Sequence, residues 1–216
     1  MQKLLRIKYL VLAESLIILA GIIIFSSFSH NKFLPFTISL TGLFVAAIIM
    51  ARNTGSIKKF KSLFGFNPVS GIFFIYLSIS LLFGILLGII YNNYQHNFVL
   101  PGKLTHIAIL AALIGSLEEL IFRGFLQGYT RQISILFSIC FATFAHTVYK
   151  SSLFIFHHSH PGTDIIFLMK WTIIAGIVFS IIREYSNNIL PSLMGHAIFD
   201  IIVYGDYIYS PWWVFS

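Results

Sequence analysis

The chain has 216 residues, of which 57% are hydrophobic and 10% are charged, and its net charge is +7. Soluble domains carry about 25% charged residues, so this composition excludes a soluble domain and predicts an integral membrane protein. The positive charge could indicate nucleic acid, but its distribution along the chain indicates membrane topology instead, and we expect no nucleic-acid partner. The single cysteine, Cys140, excludes a disulfide framework, and we expect it to be a small buried residue.

Apolar runs of about 20 residues, the length that crosses a bilayer, recur along the whole chain. They predict spans near 9–28, 33–51, 70–91, 104–126, 133–155, 165–183 and 188–206. The aromatic tail that follows contains Trp212 and Trp213, which are typical of interfacial anchors. It extends the last helix or forms a short extra one. The predicted fold class is therefore all-α, a polytopic transmembrane helical bundle of about seven to eight helices, in a single membrane domain over residues 1–216.

The positions of lysine and arginine predict the orientation in the membrane. With the N-terminus inside, the cytoplasmic side receives Lys3, Arg6, Lys8, Arg52, Lys58, Lys59, Lys61, Arg131 and Arg183, and the outside receives Lys32, Lys103 and Lys150. This bias predicts a multi-pass protein of the cell membrane with a cytoplasmic N-terminus. The first apolar run is too long for a signal peptide, so we interpret it as an uncleaved helix.

Three smaller features of the sequence also support predictions. The polar stretch 52–68 predicts a cytoplasmic loop with a basic surface helix, whose charge suits anionic lipid head groups. Glu14 lies inside the first span, where we expect it to pair with a neighbouring helix near the interface. Two GxxxG patterns, Gly84 with Gly88 and Gly124 with Gly128, favour close helix packing.

Ionisable residues inside the apolar helices are the most informative feature of the chain. They are Glu118, Glu119 and Arg123 in SLEELIFRGF, His146 in FATFAHTV, and His196 and Asp200 in MGHAIFD. An ionised side chain at bilayer depth costs about 2.5–3.5 kcal/mol even on the most lenient scale. A chain that places several of them there is expected to use them for chemistry or transport.

The spacing of these residues predicts two pairs. Glu119 and Arg123 are four residues apart, so they share a helix face and can form an ion pair, whereas Glu118 points about 100° away. This favours a structural Glu119 and a chemical Glu118, although a network that serves packing alone is the alternative. His196 and Asp200 are also four apart and can bind a metal, or the carboxylate can orient the imidazole.

His146 and the two pairs could meet in one cavity, because they lie at similar depths in their helices. The pattern EE-x-x-x-R, then a histidine after a phenylalanine-rich helix, then H-x-x-x-[N/D], resembles the CPBP family. These are the CAAX proteases and bacteriocin-processing enzymes, also called the Abi family of intramembrane proteases. The resemblance covers residues 104–205, about half of the chain.

Two positions depart from the family's pattern. Ala142 stands where the family has phenylalanine four residues before the histidine, which affects the packing of that helix. Asp200 stands where the prenyl-protein members have asparagine. An ionised carboxylate cannot donate a hydrogen bond, so Asp200 would have to be protonated, bind a metal or orient His196.

The resemblance implies hydrolysis of a peptide bond in or beside the membrane. It implies that Glu118 is the general base, that His146 holds the water, that His196 and Asp200 stabilise the oxyanion, and that Arg123 holds Glu119. A zinc enzyme is the competing form, with ligands from Glu118, His146, His196 and Asp200, although no HExxH motif is present. Glutamate-dependent and metal-dependent mechanisms both remain open.

The expected partners are the lipid bilayer and a membrane-associated protein or peptide. CAAX-type protein maturation, bacteriocin or pheromone processing and bacteriocin self-immunity are all compatible with the resemblance, and the oligomeric state is open. A non-catalytic scaffold or immunity protein of the same fold is the main alternative, and a transporter is a weaker one. The loop with His157, His158 and His160 either binds a metal or carries these histidines incidentally.

Overall fold

The computed structural model describes residues 2–28, 33–96, 100–155 and 164–208, and every regular element in these ranges is helical. In chain order the helices are α1 (Gln2–Phe28), α2 (Phe33–Thr54), α3 (Ile57–Phe64), α4 (Gly71–His96), α5 (106–130), α6 (Ile135–Ile155), α7 (Ile165–Ser186) and α8 (Leu190–Tyr204). The predicted all-α fold class is confirmed. The aromatic tail with Trp212 and Trp213 and the loop with His157, His158 and His160 lie outside the described residues.

Helix α5 is a continuous run built from three segments. An α-helix, His106–Glu119, is followed by a π-helix, Leu120–Leu126, and by a short α-helix, Gln127–Thr130. The wider turn begins directly after Glu119 and contains Arg123. π-Helical turns are rare and occur often at functional sites, which draws attention to this part of the chain.

Among the described residues, four helices are long and apolar enough to cross a membrane, over Leu5–Phe28, Thr37–Thr54, Gly71–Tyr94 and Ile165–Ser186. The other three predicted spans are helical as well, but they differ from these four in length or composition. Helix α5 changes its winding part-way along, α6 buries many hydroxyl groups, and α8 has 15 residues. The apolar helices indicate a membrane protein, and the candidate motifs lie on α5, α6 and α8, outside this group of four.

Cys140 is exposed, so the prediction that it is buried is wrong. It lies on the same face of α6 as Leu136 and Phe144, which are 72% and 58% exposed. The opposite face of this helix buries polar side chains, among them Ser138, Tyr149 and Ser152. A membrane protein can turn its apolar residues outwards because lipid surrounds it, which leaves the polar residues for the interior.

The chain forms two compact units. The first comprises Met1–Leu63 and Phe125–Val178, and in it α1 packs along α2. A Cβ atom at Gly42 would lie 2.8 Å from the carbonyl oxygen of Gly21, so the two backbones approach closely where both residues lack a side chain. The single membrane domain inferred from the sequence remains a prediction.

The second unit comprises Phe64–Gly124 and Phe179–Phe215, and α8 is its central helix, contacting both α4 and the first part of α5. A Cβ atom at Gly84 or Gly88 would lie 2.7 Å from a methyl group of Ile198 or Ile202. The close packing predicted from the first GxxxG pattern is confirmed. Of the second pattern, Gly124 faces the ring of Phe64.

Helices α5 and α8 run antiparallel, and the start of α5 is fixed to the end of α8. The carboxylate of Asp206 accepts hydrogen bonds from the backbone N–H groups of Gly102 and Lys103, both at 2.8 Å. The N–H of Thr105 donates to the carbonyl oxygen of Gly205 at 3.1 Å. These hydrogen bonds fix the register in which the motif residues of the two helices face each other.

Candidate functional site

Glu119 and Arg123 form the ion pair that their spacing predicts. Arg123 Nη1 lies 3.0 Å from Glu119 Oε1, and neither side chain has any exposed surface. The pair is retained across the change from α-helix to π-helix, since Glu119 ends one segment and Arg123 lies in the next. Two opposite charges that are removed from water together compensate each other, which a single buried charge cannot do.

The same oxygen of Glu119 also contacts the histidine of the last motif. His196 Nδ1 lies 2.9 Å from Glu119 Oε1, across a sequence separation of 77 residues. Because an ionised carboxylate only accepts hydrogen bonds, the Nδ1–H group of His196 is the donor and Glu119 is the acceptor. Glu119 therefore determines both the orientation of the imidazole and the nitrogen that carries this proton. The sequence did not predict this contact.

The other ring nitrogen of His196 faces two carboxylates. Its Nε2 lies 3.7 Å from Asp200 Oδ2 and 4.0 Å from Glu118 Oε2. The pairing of His196 with Asp200 expected from their spacing is thus present. Both distances exceed that of a direct hydrogen bond, and separations of this size between polar atoms are ones that a water molecule bridges. Glu118 and Asp200 lie on one side of the imidazole, and Glu119 with Arg123 lies on the other.

Aromatic rings pack against the imidazole. The ring of Phe179 stacks on His196 with 6.0 Å between centroids and an angle of 12°, and the ring of Phe199 is tilted at the same distance. Phe179 is held in turn, because its carbonyl oxygen accepts a hydrogen bond from Ser192 Oγ at 2.8 Å. The aromatic rings thus make the apolar contacts of the imidazole, and its two ring nitrogens make the polar ones. No sequence signal distinguishes these two phenylalanines from the many others.

Gly115 allows α5 to approach His196 and Asp200. It lies one turn before Glu119, and a Cβ atom on it would be 3.0 Å from His196 Cδ2 and 3.1 Å from Nε2, and would overlap the Asp200 carboxylate. Any larger residue would push these side chains away from Glu118. Sequence reasoning missed Gly115, although its position four residues before Glu119 could have indicated that it shares the same face.

His146 belongs to the first compact unit. Its side chain is buried in α6, 4% exposed, and its ring is nearly parallel to that of Tyr149 at 6.4 Å. Ala142, one turn earlier, is fully buried. This position, where the resembling family has phenylalanine, is therefore occupied by a small side chain in close packing.

The donor groups of the site bear on whether it could hold a metal ion. Within the described ranges, no group of three or more His, Cys, Asp or Glu side chains is arranged so that it could hold a metal ion. One nitrogen of His196 is engaged by Glu119, which removes one potential ligand atom from the predicted set. Zinc as a possible cofactor stays a prediction.

Comparison with known proteins bears on the segment that carries these residues. Residues 100–202 match the model of a family described as type II CAAX prenyl endopeptidase Rce1-like. The match confirms the resemblance to the CPBP family. It spans α5, α6, α7 and most of α8, just under half of the chain, and includes all six motif residues. Searches of curated proteins and of solved structures found no match.

The match has two plain consequences. The family is one of endopeptidases, which supports protease activity for a chain that carries its motifs. It also agrees with the apolar helices in indicating a membrane protein. The buried cluster of Glu118, Glu119, Arg123, His196 and Asp200 lies within the matched segment and is the candidate active site.

Proposed function

We propose that this protein is an intramembrane endopeptidase that hydrolyses a peptide bond in a membrane-associated protein or peptide. The observation that carries the proposal is the arrangement around His196. One ring nitrogen is bonded to Glu119 at 2.9 Å, and the other faces Glu118 at 4.0 Å. A ring that is oriented on one side and faces a second carboxylate on the other suits acid–base chemistry.

Glu118 and Glu119 have different roles in this proposal. Glu119 accepts from Arg123 and from His196 at one oxygen, so it serves as a positioning residue. Glu118 lies one residue earlier on another face of α5 and acts as the general base. It takes a proton from water as the water oxygen bonds to the scissile carbonyl carbon. It returns that proton to the amine nitrogen when the C–N bond breaks.

His196 and Asp200 are assigned to the carbonyl oxygen. In the protonated form of His196 both ring nitrogens carry hydrogen, so Nε2–H would donate to the oxyanion that forms when water attacks while Nδ1–H remains bonded to Glu119. Asp200, at 3.7 Å from this nitrogen, orients the imidazole or, if protonated, acts as a second donor. His146 enters the proposal through the family motif alone, as the residue that helps to hold the water.

Substrate and location follow from the family and from the charge distribution. A CAAX-type, lipid-anchored protein is the substrate that the description of the matching family suggests. Leader peptides of bacteriocins or pheromones are further proposed substrates. Bacteriocin self-immunity is a further proposed role. The excess of basic residues on one side supports a cell-membrane location with a cytoplasmic N-terminus.

The deciding experiment compares Glu118→Gln with wild type in cleavage of a quenched fluorescent peptide library by the purified full chain. Loss of a general base is expected to lower kcat about 10²–10⁴-fold. The matched control is Glu184→Gln, the same change at an equally buried glutamate that pairs with Arg183. Retained activity in Glu118→Gln would contradict the assignment.

Two further arms separate the alternatives. A zinc chelator tests the metal-dependent form, since activity that survives chelation supports the glutamate-dependent form. If wild type cleaves no peptide under conditions in which a related enzyme does, the non-catalytic scaffold or immunity protein becomes the better interpretation. Cleavage with unchanged Glu118→Gln activity would instead locate the chemistry elsewhere.

A further inference from the structure

Helix α3 is the short amphipathic helix that joins two membrane spans. It begins at Ile57, three residues after α2 ends at Thr54, and α4 follows at Gly71. Three residues of extended chain reach about 10 Å, so α3 starts within that distance of the end of a helix that suits a membrane span. Its position alone therefore places it at the bilayer surface.

The two faces of α3 differ in chemistry. At 100° per residue the four apolar side chains fall within an arc of about 120°, and the lysines and Ser62 occupy the rest. The apolar residues are Ile57, Phe60, Leu63 and Phe64. Leu63 and Phe64 are buried, whereas Ile57 and Phe60 are 76% and 38% exposed. The protein thus covers the second half of the apolar face and leaves the first half exposed.

The polar face carries only positive charge. Lys58, Lys59 and Lys61 are all exposed. Among the described ion pairs none involves these lysines, and the nearby Glu14 is bonded to Arg52. Three lysines beside an exposed apolar edge match a surface that offers anionic groups above hydrocarbon, which is the chemistry of an acidic lipid leaflet.

The chain is held in place where α3 ends. Phe64 packs against Gly124. The next residues bind the turn before α8: Gly65 accepts a hydrogen bond from the N–H of Ile189 at 3.0 Å, and Asn67 exchanges two hydrogen bonds of 2.7 Å with the turn.

We propose that α3 is a binding site for anionic lipid head groups, in which Lys58, Lys59 and Lys61 contact phosphates while Ile57 and Phe60 enter the acyl region. The occupant is the cytoplasmic leaflet of the protein's own bilayer. This inference is independent of the proposed protease activity, because it rests on α3 alone.

The test places a fluorescent label on each face of α3. In a Cys140→Ala background, Ile57→Cys reports the apolar face and Ser62→Cys the polar face. The labelled full chain is reconstituted in phosphatidylcholine vesicles with and without phosphatidylglycerol. The label at position 57 is expected to shift to shorter emission wavelength and to lose quenching by acrylamide when phosphatidylglycerol is present. The label at position 62 should change little.

A charge variant then tests the lysines. Replacing Lys58, Lys59 and Lys61 by glutamine should abolish the effect of phosphatidylglycerol, and added salt should weaken it in wild type. The matched control removes the same charge elsewhere, through Lys103→Gln, Lys150→Gln and Lys170→Gln, and should retain the effect. Equal protection of position 57 in both lipids, no protection in either, or an unchanged lysine variant would each overturn the proposal.

Discussion

Two buried carboxylate clusters in the described part of the chain differ in how many acids they contain. Glu14 in α1 is 5% exposed and accepts from Asn53 Nδ2 at 2.7 Å, Tyr129 OH at 2.6 Å and the guanidinium of Arg52. One acid is thus surrounded by three donors. The pairing of Glu14 with a neighbouring helix, expected from the sequence, is confirmed because Arg52 and Asn53 lie in α2.

The cluster around His196 contains three acids rather than one. Glu119 contacts Arg123 at 3.0 Å and His196 at 2.9 Å. Glu118 and Asp200 face the remaining ring nitrogen at 4.0 Å and 3.7 Å. Burial is similar in both places, so burial alone does not distinguish them. A single acid bound by three donors suits stability, whereas several acids that face one imidazole suit acid–base chemistry.

The largest expected effect on stability is the loss caused by replacing Arg123, compared with the loss caused by replacing Arg52. Arg123→Met should lower the free energy of unfolding by about 3–5 kcal/mol, because it leaves Glu119 charged and buried without its arginine. Arg52→Met should cost about 1 kcal/mol or less, since the Arg52 side chain is 63% exposed and Glu14 retains two donors. Denaturant titration in detergent compares the two, and equal costs would contradict the distinction.

A smaller effect on stability is expected for a substitution at Gly115, where the backbone of α5 lies close to His196 and Asp200. Gly115→Ala should destabilise the protein by about 1–3 kcal/mol and lower kcat, because the added methyl group displaces His196 and Asp200. Gly71→Ala is the matched control, since no atom lies within 4 Å of a Cβ there. Thermal melts and peptide cleavage measure both consequences. Unchanged cleavage in Gly115→Ala would mean that the close approach does not matter for the reaction.

The smallest effect tests whether the Glu14 cluster is structural only. Tyr129→Phe removes one of three donors and should cost about 1 kcal/mol of stability. Activity per folded molecule should not change, in contrast to Glu118→Gln. Tyr9→Phe serves as the control, because Tyr9 is 69% exposed. A fall in kcat without a fall in stability would show that the Glu14 cluster also serves the reaction.

The local part of the site could be predicted from the sequence. Residues four apart on a helix share a face whatever surrounds them, so the pairs Glu119 with Arg123 and His196 with Asp200 follow from spacing alone. The basic helix between α2 and α4 and the close approach at Gly84 and Gly88 were also predictable, because they depend on amphipathic pattern and residue size. Cys140 was mispredicted, since hydropathy does not distinguish a lipid-facing position from a buried one.

The sequence by itself determined the all-helical membrane class, the two local pairs and the candidate acidic and histidine residues, because these depend on composition and on the geometry of a single helix. Only the tertiary structure decided that Glu119 holds His196, that Glu118 faces the other ring nitrogen, and that Gly115 makes room for both. These contacts join residues of α5 to residues about 80 positions later in α8. They depend on the register and separation of two helices, which spacing within one helix does not specify.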